Sequence, residues 1–223
     1  MDSRDVKTKY EGPLSLQLMW DKQKELVNHY QKIEGLPSYP INLDTRESQA
    51  LMKDFVSRVV EELAESHEAH LQGHEWGAIE EIADAFHFIL EAMIFTEPNL
   101  DSWLKLEQGL QLCDETHQLD GILESVPRYY KEVLRKPDDQ LSSLVDWYWS
   151  VTYYLNIARN NLRNKPWKQT AILAQKADFK RNIWKGFVTL VQGTHHLNMS
   201  SSMIVEQYLN KNTINLFRIK SKY

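Results

Sequence analysis

Two acidic pairs stand out by type and spacing. Glu61-Glu62-Leu63-Ala64-Glu65 contains Glu-x-x-Glu, and Glu80-Glu81-Ile82-Ala83-Asp84 contains Glu-x-x-Asp. Residues three apart share a helix face, with Cβ atoms about 5–6 Å apart. Glu62 and Glu65 thus point one way, as do Glu81 and Asp84, and a short connector would bring the two pairs together. Four carboxylates at one place repel, and each raises the pKa of the others unless a cation lies among them. Hard oxygen donors select Mg²⁺, Ca²⁺ or Mn²⁺ over zinc. Mg²⁺ takes one or two protein carboxylates and accepts phosphate oxygens beside them, so such a cluster suits a triphosphate. The same pairs also suit a wet acidic helix face, and that reading stays open. Ala64, Ala83 and Ala85 beside the acids would let the helices approach closely.

Other polar residues carry weaker signals. His87 follows Asp84 by one turn in an otherwise apolar stretch. It either orients a ligand carboxylate or is a satisfied core histidine. His67, His70 and His74 lack the His-Glu-x-x-His spacing of a zinc site and read as surface histidines. Near the end of the chain, Lys211, Asn215, Arg218 and Lys222 recur at steps of three or four. One helix face would then carry three cations and an amide. Arg forks onto phosphate oxygens and Lys acts as a point charge. Cations also favour a helix C-terminus, so a simple basic tail is the competing reading.

The elements that must position these groups read as helices. Leu14, Leu18, Trp20, Leu26 and Tyr30 predict a helix over about 14–34, stopped by Gly35 and Pro37. Asp44 or Thr45 can cap a second helix to about 71, striped by Leu51, Phe55, Val59 and Leu63. Gly73 and Gly77 mark a turn, and a third helix runs over about 77–96. Shorter helices are expected over 99–135, punctuated by Gly121 and Pro127. Lys136-Pro137-Asp138-Asp139 suits a helix start, ahead of an aromatic-rich helix over about 140–162. A basic connector with Lys165, Trp167 and Lys168 follows, a candidate lid over a base or phosphates. Helices over about 176–193 and 201–217 close the chain. No repeat and no convincing alternating strand is present.

Composition narrows the function. The 223 residues carry a net charge of −5, with 42% hydrophobic and 26% charged residues. Only 8 Gly and 7 Pro leave few turn signals for a many-stranded fold. The single cysteine, Cys113, excludes an intrachain disulfide framework and a cysteine zinc cluster, and fits a reducing, cytoplasmic setting. No apolar run approaches the length of a membrane span. A pI near 5.9 argues against a nucleic-acid polymer as partner.

The order Glu-x-x-Glu, a gap of 15 residues from Ser66 to Glu80, then Glu-x-x-Asp resembles the all-α NTP pyrophosphatase superfamily. Asp84-Ala85-Phe86-His87-Phe88 is similar to the Asp-x-x-His-Phe of its dimeric dUTPase branch. The ending met by Lys211, Asn212, Asn215, Arg218 and Tyr223 resembles the C-terminal motif of the phage dCTPase/dUTPase type. Gln23-Lys24-Glu25-Leu26 is similar to the stretch whose Gln contacts the pyrimidine, although Val27 stands where dUTPases usually carry Asn.

The resemblance implies an all-α helical bundle, a single domain over 1–223 with 99–175 as a variable inserted region. It implies Mg²⁺-dependent (or Mn²⁺-dependent) hydrolysis of dUTP, or dCTP, to the monophosphate and pyrophosphate. Glu62, Glu65, Glu81 and Asp84 would be metal ligands, with Glu65 and Glu62 catalytic. Gln23, His87, Lys211, Asn212, Asn215, Arg218, Lys222 and Tyr223 would bind substrate. A homodimer is implied as well. Two other readings stand beside it: a MazG-like pyrophosphatase of other base preference, and a non-catalytic helical interaction protein.

Overall fold

Helix signals in the sequence become helices with their expected caps. The computed structural model describes residues 14–110, 143–165, 167 and 170–221; of 107–110 it gives the backbone alone. Seven α-helices occur among these residues: α1 (Leu16–Glu34), α2 (Arg46–Leu71), α3 (Glu75–Thr96), α4 (Leu100–Leu110), α5 (Leu144–Asn161), α6 (Lys176–Gly193) and α7 (Ser201–Ser221). A 3₁₀ turn, Thr194–Leu197, links the last two. No strand is found among the described residues.

Hydroxyl oxygens at the helix starts satisfy amides that would otherwise lack partners. The Leu18 N–H donates to Ser15 Oγ at 3.2 Å, that of Ser48 to Thr45 Oγ1 at 3.2 Å, and that of Asp146 to Ser143 Oγ at 3.1 Å. Of the two candidate caps for α2, Thr45 is therefore the one used. Gly35 ends α1 at φ 69°, a left-handed backbone that favours glycine. Helix α3 begins two residues earlier than the pattern predicts, and α7 runs four residues longer. The expected helix start at Lys136-Pro137, the punctuation at Gly121 and Pro127, and Cys113 all lie outside the described residues.

Helices α2 and α3 form the central hairpin. Gly73, at φ 74°, allows the reversal, and the His74 N–H donates to the Ala69 carbonyl at 2.8 Å to close the end of α2. The facing stripes, Phe55, Val59 and Leu63 against Ile82, Phe86 and Ile89, are buried. Helices α5 and α6 make a second antiparallel pair, packed on α2 and α3, and α7 returns across α3 and α1. One apolar cluster runs through all of these and includes Trp103 of α4.

Buried aromatics fix the layers in register. The indoles of Trp20, Trp103 and Trp147 donate to the carbonyls of Pro98, Glu97 and Thr189, so their burial leaves those N–H groups paired. Ser66 Oγ donates to the Ala78 carbonyl at 2.9 Å and lies 2.7 Å from Tyr148 Oη, tying α2, α3 and α5 together. At Gly193 a Cβ would lie 2.0 Å from the ring of Trp147, which is fully buried and cannot retreat. Only glycine fits where α6 crosses α5 that closely.

Candidate active site

The α2–α3 hairpin brings three of the four predicted carboxylates together. Ligand atoms of Glu62, Glu81 and Asp84 all lie within 4.8 Å of one another, and each residue is partly buried. Spacing explains this: Glu62 faces α3, Glu81 and Asp84 face back, and the tight turn sets the register. Glu65 is exposed and stands outside that group, although its charge still acts on the other three.

The electrostatics are those of an under-compensated acidic cluster. The Glu62 carboxyl is pushed up to about 8, first by burial and then by Asp84, Glu81 and Glu65. Burial and Asp84 likewise raise Glu81. Asp84 is raised by burial even though Lys211 Nζ lies 2.5 Å from its Oδ2 and pulls the other way. Lys211, predicted to hold phosphate, is thus the cation that the cluster already contacts. Three clustered carboxylates with oxygen donors only, repelling one another, fit a hard divalent cation.

A cavity of about 370 Å³ opens beside the cluster. Glu62, Asp84, Lys211, Asn215 and Arg218 line it at the acidic end. The rest of the wall mixes apolar Leu26, Leu36, Leu51, Phe55 and Phe88 with charged Glu34, Asp54, Arg58 and Glu91. Gln23 and His87, both expected to bind substrate, also line it. Arg58 sits over the Phe88 ring at 5.4 Å and pairs with Asp54 at 3.0 Å.

His87 and Gln23 form one buried unit. Burial lowers the His87 ring to about 3, so it is neutral and donates from one nitrogen only. Gln23 Oε1 accepts from Tyr208 Oη at 2.6 Å and lies 2.8 Å from His87 Nδ1. A neutral ring has one N–H, which serves either Gln23 Oε1 from Nδ1 or the Tyr208 carbonyl from Nε2. His87 Nε2 lies 3.3 Å from the Tyr208 carbonyl, an oxygen that can only accept. The His87 ring also stacks on Tyr208, centroids 4.2 Å apart. His87 is thus a core histidine with partners, set against the Gln23 amide rather than a ligand carboxylate.

Not every predicted residue reaches the cavity. Asn212 is fully buried and donates from Nδ2 to the Lys22 carbonyl at 3.4 Å, holding α7 to α1. Lys222, Tyr223 and Lys168 lie outside the described residues. Trp167 and Lys165 line a different cavity, with Lys53 and Arg159. His67 packs against Tyr148, centroids 5.3 Å apart, rather than joining a histidine cluster.

Glu91 is the pocket residue that spacing did not single out. It is 5% exposed, and burial pushes its carboxyl up to about 8, with Arg58 opposing and Glu34 adding to the rise. Its signal in the sequence was a lone acid in the apolar run Ile89-Leu90-Glu91-Ala92-Met93, two turns beyond Asp84.

Fold and site together define an all-helical protein with a clustered-carboxylate pocket flanked by cations. The family model for dUTPase matches residues 16–223, and the chain belongs to that family. Neither the curated proteins nor the solved structures give a match. No described helix is long and apolar enough to cross a membrane.

Proposed function

We propose that the protein hydrolyses a pyrimidine deoxynucleoside triphosphate, dUTP and also dCTP, to the monophosphate and pyrophosphate. The observation that carries this reading is the convergence of Glu62, Glu81 and Asp84 at one end of a cavity that Lys211, Asn215 and Arg218 also line. Family membership supports the nucleotide class.

Glu62, Glu81 and Asp84 would hold Mg²⁺, with Mn²⁺ as a substitute. A divalent cation, when bound, supplies charge neutralisation and Lewis acidity at phosphate oxygens. Lys211, Asn215 and Arg218 hold the phosphate oxygens and set the chain in line for displacement, a reaction in which positioning does most of the work. Glu65, exposed at the rim, takes the proton of the attacking water. The base lies among Leu26, Phe55 and Phe88. Gln23 lines the same cavity, and its amide can offer an N–H to a ring carbonyl. Uracil and cytosine both carry one at C2, which fits a site that accepts either.

Pyrophosphate release from each common dNTP, with Mg²⁺ and with EDTA, is the deciding measurement. Metal-dependent release from dUTP is expected. Cleavage of purine substrates alone would move the protein to another base preference, and no release from any dNTP would sink the reaction.

The same reading includes a homodimer. Val145, Trp149 and Tyr153, 56%, 57% and 40% exposed, recur at four-residue steps and give α5 an apolar outer stripe. Light scattering should return about twice the 26.3 kDa chain mass. A monomer at tens of micromolar would refute the dimer.

A further inference from the structure

A second cavity, of about 650 Å³, lies on the side of α2 away from the carboxylates. The start of α2, the end of α5 and the connector after it form its walls. Arg46, Lys53, Arg159 and Lys165 line it, and among the described residues no carboxylate does. Cations this close raise each other's energy, and an anion among them relieves this. Lys53 already registers the strain: burial, then Lys165 and Arg159, hold its ammonium below the ordinary lysine range.

The cavity is built rather than incidental. Asn164 is 7% exposed and fixed on three sides. Its N–H donates to Gln49 Oε1 at 2.9 Å, its Oδ1 accepts from the Ile172 N–H at 2.7 Å, and its carbonyl accepts from Lys53 Nζ. Gln49 Nε2 donates in turn to the Ile172 carbonyl at 2.9 Å. Asn164 also lines the cavity, yet its Nδ2 is buried with no hydrogen-bond partner. Trp167, 76% exposed, lines the same cavity and offers an indole face.

We propose that this cavity is a second, metal-independent binding site for a nucleotide. Arg46, Lys53, Arg159 and Lys165 receive the phosphates, and Trp167 stacks on the base. Guanidinium and ammonium groups bind phosphate oxygens directly, and an aromatic face is tolerant of base identity. This differs in kind from the other pocket, whose clustered carboxylates suit a divalent cation. The site does not depend on the proposed reaction, since nothing in it is shared with the carboxylate cluster beyond helix α2.

The test is calorimetric titration of dUTP and of inorganic tripolyphosphate into the full chain in excess EDTA. One dUTP per chain is expected, weakening as salt rises. Charge reversal by Arg159→Glu with Lys165→Glu should weaken dUTP by about 30-fold or more. Trp167→Ala, at an exposed position that does not threaten folding, should weaken dUTP by about 10-fold while leaving tripolyphosphate within about twofold. Both variants should keep pyrophosphate release at the wild-type rate, whereas EDTA abolishes that release and leaves this binding intact. No saturable binding in EDTA would overturn the proposal. So would binding untouched by the charge reversal, or binding lost on Glu62→Gln instead. A single-stranded deoxyoligonucleotide that saturates the site while dUTP does not would reassign it to a polymer.

Discussion

Glu62→Gln is expected to lower pyrophosphate release from dUTP by about 10³-fold and to raise the melting temperature of the metal-free protein at pH 7. The two effects share one cause. Glu62 lies among Glu81 and Asp84, with ligand atoms within 4.8 Å, and its carboxyl titrates near 8 in the folded chain. Between its ordinary value of 4.5 and about 8, the folded protein must hold a proton that the unfolded chain has released. Stability therefore falls as pH rises through that window. Glutamine is neutral throughout, so the variant escapes the loss, by a few degrees at pH 7 and by little near pH 5. The same change removes a ligand charge from the proposed Mg²⁺ site. Metal-centred charge stabilisation contributes several kcal/mol, and about 4 kcal/mol corresponds to 10³ in rate. Melts with EDTA and with Mg²⁺ separate the parts: added Mg²⁺ should raise the wild-type temperature by mass action and the variant's much less. Near-normal turnover by the variant, or an equal Mg²⁺ response in both proteins, would count against the site.

Much of the hairpin that carries this cluster was legible because its signals are local. Helical periodicity, a hydroxyl cap at Thr45 and a left-handed glycine at Gly73 act within a few residues, and together they define two antiparallel helices. Given that, the convergence of Glu62 with Glu81 and Asp84 follows from spacing. The position of Glu65 does not. Two residues three apart on a helix differ by about 60° in direction, enough for one to face the groove and the other to stand at its rim. Asn212 is the same lesson at closer range. It neighbours Lys211 in sequence but points about 100° away, into the packing against α1 rather than toward the pocket. The cationic cavity was illegible for a different reason. Its walls meet through pairs such as Lys53 with Asn164, 111 residues apart, and no local pattern fixes which faces of distant helices join.

Glu91→Gln is the second large effect, and it should appear in stability as a function of pH. Glu91 is 5% exposed, faces the same cavity, and has its carboxyl pushed up to about 8, chiefly by burial. Arg58 lowers it and Glu34 raises it, but neither outweighs the loss of water. Below about pH 4.5 the acid is protonated in both folded and unfolded chains and contributes no slope. Above that the unfolded chain releases its proton while the folded chain keeps it, so stability declines as pH rises until the folded group ionises near 8. A tenfold difference in proton affinity between the two states corresponds to about 1.4 kcal/mol, so the full decline is of order 4 kcal/mol. Glutamine has nearly the same shape and no charge. The variant should match the wild type near pH 5 and melt about 8–16 °C higher at pH 8, since a chain of this size gains roughly 2–4 °C per kcal/mol. Parallel melting curves for the two proteins from pH 5 to 8.5 would show that Glu91 is ionised in the folded state, paired with Arg58, and would refute a neutral acid in the pocket wall. If the neutral acid holds, its ionisation near pH 8 also adds a negative charge to the pocket wall. Affinity for dUTP should then fall above that pH in the wild type and stay level in Glu91→Gln, which a purely structural role for Glu91 would not produce.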